Sequence, residues 1–86
     1  MYSIEINSQP QKFIRTQSKH IQKRILKKIR SLTENPFPPK CVKLHADPNL
    51  HRVRTGDYRI IYHVQREENR IIITKVGHRK DVYDSL

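Results

Sequence analysis

Apolar and polar residues alternate at the start of the chain. Tyr2, Ile4 and Ile6 lie at period two, which predicts a strand over residues 2–6. The spacing then changes. Phe13, Ile14, Ile21, Ile25, Ile29 and Leu32 fall mostly at steps of three, four and seven, the pattern of one helical face. Ser8 is placed to cap this region, and Pro10 is tolerated in its first turn. Ser18, a good N-cap residue, divides it into a short helix and a longer one, an α-hairpin. Asn35-Pro36-Phe37-Pro38-Pro39 ends the helical stretch, because proline supplies no donor and biases its predecessor out of helix.

Residues 40–49 read as connecting chain, with Asp47-Pro48-Asn49 as a turn signal. Strand-like pieces follow at residues 50–55, 58–65 and 70–76. Gly56-Asp57 suits a two-residue hairpin loop with glycine in the first central position. Glu67-Glu68-Asn69 makes a polar second turn. The order β-α-α-β-β-β predicts an α+β fold: one small domain over residues 1–86, with the helical hairpin packed on one face of a mostly antiparallel sheet.

The two-residue loop also predicts a register. Thr55 then opposes Tyr58, Arg54 opposes Arg59, Val53 opposes Ile60, and Arg52 opposes Ile61. One face carries Val53, Tyr58, Ile60, Tyr62 and Val64 and is core-like; His51 points to that side too. The other face carries Arg52, Arg54 and Arg59. Like charges directly opposite one another destabilise a sheet. Their placement makes sense if an anion sits between them, since the arginine fork matches phosphate oxygens. A solvated face with splayed arginines is the alternative.

Composition sharpens this picture. Hydrophobic residues are 35% of the chain and mean hydropathy is −0.82, values that suit disorder unless the apolar residues are patterned, as they are here. Eighteen Lys and Arg against eight Asp and Glu give a net charge of +10. So lopsided a balance favours a polyanionic partner. No carboxylate interrupts the sequence between Glu5 and Glu34, so Lys19, Lys23, Arg24, Lys27, Lys28 and Arg30 have no acidic helical neighbours to balance them. Such a surface suits contact with a phosphate backbone, the expected nucleic-acid docking face. A single cysteine, Cys41, excludes an internal disulfide and reads as a small loop residue. No apolar run exceeds three residues, so neither a membrane span nor a signal-peptide core is expected, and the expected location is the cytoplasm.

Acid–base candidates are few. The carboxylates are scattered and form no metal-binding motif, so neither a metal nor any other cofactor is expected. His78, following Gly77 and preceding Arg79, is the most suggestive histidine. An arginine-rich constellation without a carboxylate pair fits RNA among phosphodiesters. The 2′-OH is a built-in nucleophile, and the protein need only align it and stabilise the developing charge.

The segment Leu50-His51-Arg52-Val53-Arg54-Thr55-Gly56-Asp57-Tyr58-Arg59-Ile60-Ile61-Tyr62, followed by Val76-Gly77-His78-Arg79-Lys80-Asp81-Val82-Tyr83, resembles the RelE/ParE toxin superfamily of toxin–antitoxin modules. Length and element order agree over essentially the whole chain. The RelE branch implies a ribosome-dependent endoribonuclease that cuts mRNA in the A site without metal, held inactive by a cognate acidic antitoxin. By position, the resemblance gives Arg59 the scissile phosphate, Arg79 transition-state stabilisation or general acid work, and Tyr83 the orientation of the 2′-OH or stacking on a base. A pair of strand lysines in RelE enzymes aligns with Leu50 and Arg52. Leu50 cannot do charge work, Arg52 keeps the charge, and Arg54 is expected to share it. The base is left open, with His78 a candidate beside Tyr83. The ParE branch shares the fold and poisons DNA gyrase without cutting RNA; an inactive binding module is a third possibility.

Overall fold

A computed structural model describes residues 1–82. Five strands form one sheet in the order β1-β5-β4-β3-β2, with β1 at Ser3–Ile6, β2 at Val42–Lys43, β3 at Leu50–Thr55, β4 at Tyr58–Gln65 and β5 at Arg70–His78. β1 runs parallel to β5 and the other neighbours are antiparallel. Helices α1 (Ser8–Arg15) and α2 (Lys19–Ser31) lie between β1 and β2 in the chain. They cover one face of the sheet, as the sequence predicts.

The helices end where local chemistry dictates. The Ser18 side chain accepts from the Ile21 amide at 3.4 Å and starts α2. The cap of α1 is Asn7 rather than Ser8. The Asn7 amide still pairs with the Ile73 carbonyl (3.0 Å), so the strand runs through it and helix begins at the next residue. Beyond that point β1 no longer covers the edge of β5. Gln9 of α1 does so instead, its side-chain amide donating to the Val76 carbonyl and accepting from the Val76 amide, both at 3.1 Å.

Ile14, Ile25, Ile29 and Leu32 from the helices pack on Val53, Ile60, Tyr62, Val64, Ile71, Ile73 and Val76. Tyr62 is fully buried, and its hydroxyl donates to the Pro36 carbonyl at 2.6 Å, fastening the proline-rich segment to the sheet. Burial raises the Tyr62 pKa well above its ordinary value, with Cys41 adding to the shift. Cys41 is half-buried against this core.

Two departures from the sequence reading concern the strands. The segment expected to be a plain connection contains β2, whose Val42 and Lys43 pair with Arg52 and His51. Two residues are too few to show a period. The last strand continues past Val76 to His78, and it carries a register shift. Ile61 pairs with Lys75 but Tyr62 pairs with Ile73, so Thr74 is an extra residue, its hydroxyl donating to the Ile61 carbonyl at 3.2 Å.

His51 lies 8% exposed on the helix face, stacked on Tyr62 and edge-on to Phe37. Its Nδ1 is 3.2 Å from the Asn49 carbonyl. Burial lowers its pKa below 6.5, with smaller contributions from Lys43, Arg66 and His63, while the Asn49 contact works the other way. The unfolded chain therefore binds more protons below about pH 6.5, and stability falls as pH drops through that window. The expected result is a melting temperature that declines from about pH 7 towards pH 5, with a flatter profile in His51→Phe. An unchanged slope in the variant assigns the dependence to another group. Among the described residues no helix is long and apolar enough to cross a membrane.

Candidate functional site

The site is built on the sheet face turned away from the helices. A two-residue loop joining Thr55 to Tyr58, with Gly56 at φ +59°, sets the register of β3 and β4. Arg54 consequently stands directly opposite Arg59, and Arg52 opposite Ile61, as the sequence predicts. Arg54 is exposed, whereas Arg52 and Arg59 are half-buried. The Arg59 guanidinium turns back over the loop, with Nη1 3.5 Å from the Gly56 carbonyl and 3.4 Å from that of Tyr58. Burial lowers the Arg59 pKa, the charges of Arg54, Arg52 and Arg79 push the same way, and Asp57 opposes them. A guanidinium stays protonated regardless, so the crowding concentrates positive charge on this face.

Arg79 joins this group through the chain after β5. Its amide donates to the Asp57 carbonyl at 2.7 Å, while its Nε lies 3.9 Å from Asp57 Oδ1. Both side chains of that ion pair are more than half exposed. An exposed pair at this distance contributes little, so the main-chain bond does most of the holding. Asp57 was missed from sequence, where Gly56-Asp57 signalled only a turn. Arg52 and Arg54 also border a cleft with Pro39, Lys40, Cys41 and Val42.

His78 does not reach this face. It pairs with Tyr58, and the two rings meet edge-on at 5.7 Å on the helix side, where Tyr58 also packs on Phe13. The extra Thr74 is the reason: one added residue exchanges the faces of everything beyond it in β5. Without it, Gly77 would oppose Tyr58 and His78 would stand with the arginines. The His78 Nδ1 instead accepts from the Lys80 amide at 3.3 Å. Tyr83 lies outside the described residues.

The arginine face also carries an apolar patch that sequence did not reveal. Leu44, Ile61 and Val82 are each buried, with Leu50 packed against them. Leu50, where the resemblance expects a lysine, belongs to this patch. Beyond it His63 pairs with Asp47 at 3.6 Å. Four strand positions, roughly 13 Å, separate His63 from Arg59, too far for joint action on one phosphate.

A second basic surface lies on α2. Ile25 and Ile29 are buried, and the opposite side of the helix forms a groove with Thr55, lined by His20, Lys23, Arg24, Lys27, Lys28 and Ser31. Lys19 and Arg30 are exposed on the same helix but do not line it. The two basic surfaces meet at Gly56. A Cβ there would lie 2.9 Å from Arg24 Nη1, and the carbonyl of the same residue faces Arg59. Among the described residues no three His, Cys, Asp or Glu side chains gather as a metal site.

The family model described as "ParE toxin of type II toxin-antitoxin system, parDE" matches residues 4–83. The chain belongs to the RelE/ParE superfamily of toxins. Solved structures agree. The toxin is similar to the archaeal RelE of a RelE–RelB complex from Pyrococcus horikoshii OT3, at 30% identity and a TM-score of 0.82, over 94% of this chain and 98% of that one. The isolated Escherichia coli RelE toxin gives 21% identity and 0.79, over 91% and 84%. A toxin–antitoxin complex from Methanococcus jannaschii gives 27% and 0.70, over 93% and 95%. No curated protein sequence matches the toxin.

Proposed function

We propose that this toxin is a ribosome-dependent endoribonuclease that cuts mRNA in the A site and so inhibits translation. The observation that carries the reading is the crowding of Arg52, Arg54 and Arg59 on one sheet face, with Arg79 in the adjoining turn and Asp57 as the carboxylate bearing on Arg59. In the reaction the 2′-OH gives up its proton as its oxygen attacks the adjacent phosphorus. The P–O5′ bond breaks and the departing 5′ oxygen takes up a proton, so that a 2′,3′-cyclic phosphate and a 5′-hydroxyl result. No water or metal enters this balance. Arg59 and Arg79 hold the phosphorane charge, in the way that preorganised donors stabilise charge as it develops. Arg52 and Arg54 grip the flanking phosphates. Tyr83, next in sequence after Val82, orients the 2′-OH, whereas the position of His78 on the helix side argues against it as the base.

The α2 groove supplies sequence-independent contact with ribosomal RNA. An acidic antitoxin is the proposed inhibitor, supported by the +10 charge and by the RelE–RelB complexes formed by the structural relatives. The cytoplasm, where ribosomes are, is the proposed site of action.

The description of the matching family favours a second reading, a gyrase poison of the ParE kind. One experiment separates them. Purified toxin is added to mRNA-programmed ribosomes, to the same mRNA alone, and to gyrase with supercoiled DNA. Expected are primer-extension stops in the A-site codon with ribosomes only, insensitive to chelation of any metal not needed by the ribosome, and abolished by an acidic antitoxin segment. Trapped, cleaved DNA on gyrase with intact mRNA overturns the nuclease reading.

A further inference from the structure

Gly77 has no conformational reason to be glycine, since Gly56 is the glycine with a positive φ. What its position requires is space. A Cβ at Gly77 would lie 2.7 Å from Cγ2 of Val82, closer than packed carbon atoms come. Val82 is 5% exposed and packs with Leu44 and Ile61 on the arginine face. The register shift in β5 puts Gly77 directly across from Arg59. Its bare Cα is therefore a depression beside Arg59, and Val82 fills it. Between the two runs a tight turn, closed by the Asp81 amide on the His78 carbonyl at 2.8 Å, and this turn carries Arg79. The segment is thus fastened twice, by the Arg79 amide on the hairpin loop and by Val82 in its seat.

We infer that Gly77 and Val82 are positioning residues, a seat and a knob that hold Arg79 beside the other arginines. The consequence for catalysis rests on the proposed nuclease reading, whereas the pairing itself does not. A methyl group at residue 77 closes the seat and lifts Val82, loosening the turn that bears Arg79. Arg52, Arg54 and Arg59 stay in place, because their strands are held by their own ladder and by the core on the other face. The α2 cations are equally untouched. Turnover therefore falls while docking persists.

A size-exchange cycle tests this with Gly77→Ala, Val82→Ala and the double variant. Hydrogen exchange at the Arg79 amide is expected to quicken by about 10-fold or more in Gly77→Ala. It should return to within about 3-fold of the parent in the double variant, where the smaller side chain at position 82 leaves room. Single-turnover cleavage is expected to fall by about 10-fold in Gly77→Ala, with the half-saturating ribosome concentration moving less than about 3-fold, and to recover in the double variant. Unchanged exchange in Gly77→Ala overturns the inference. So does a double variant as disturbed as the two single changes combined, or a loss expressed in docking alone. Both residues lie outside the main core, and an unaltered main melting transition checks that each variant folds. If the parent cuts no RNA, the nuclease reading fails, while the exchange cycle still decides whether the seat exists.

Discussion

Arg59→Ala and Arg79→Ala are each expected to slow single-turnover cleavage of ribosome-bound mRNA by at least about 100-fold, the scale for losing one preorganised donor to a developing oxyanion. In the proposed reaction the two residues would reach the phosphate from different elements, Arg59 from the second strand of the hairpin and Arg79 from the chain after β5. Their removal should nevertheless look alike. Ribosome affinity should change far less, because the α2 cations are the proposed docking contacts. Neither change should harm folding, since Arg59 sits on the outer face and Arg79 is exposed. Removing Arg59 also relieves repulsion from Arg54, Arg52 and Arg79, so Arg59→Ala should melt no lower than the parent. Rapid-quench cleavage with saturating toxin gives the rates, and a near-normal rate in either variant removes that residue from the site.

Reversing Lys23, Lys27 and Lys28 to glutamate should weaken ribosome binding by on the order of 10-fold or more at low salt. It should also flatten the dependence on salt by about one unit of slope for each phosphate no longer neutralised. These lysines line the α2 groove and face away from the buried Ile25 and Ile29. Glutamate is as good a helix former as lysine, so α2 should survive the exchange. The cleavage rate at saturating toxin should be nearly unchanged, which separates docking from chemistry. Filter binding or sedimentation across a salt series measures the slope. An unchanged slope means that this groove faces away from the ribosome.

Much of the site was legible because hairpins are local. Gly56-Asp57 sets a two-residue loop, the loop sets the register, and the register sets Arg54 against Arg59 with no contribution from the rest of the fold. The split of the helices at Ser18 and their end before Pro36 are legible for the same reason, each resting on a cap or a breaker acting within a few residues. The +10 charge and its concentration on α2 needed only the sequence. Apolar alternation in β4 likewise identified Ile60, Tyr62 and Val64 as core, which they are.

Position in three dimensions decided the remainder. His78 and Gly77 exchanged faces because of Thr74, a single extra residue directly after Ile71, Ile72 and Ile73, whose uniform apolarity conceals any change of phase. β2 exists only because β3 is beside it. Ile61 and Leu50 are covered on the arginine face only because Leu44, earlier in the chain, and Val82, later in it, converge there. Asp57 came to hold Arg79 through a hydrogen bond between residues 22 positions apart. The sequence by itself determined which elements form, where the hairpin turns and which face of it carries charge, since periodicity, caps and loop length act over short range. The tertiary structure alone decided which residues share the arginine face with that hairpin, because strand pairing across long separations and one bulge in β5 set the direction of each side chain beyond it.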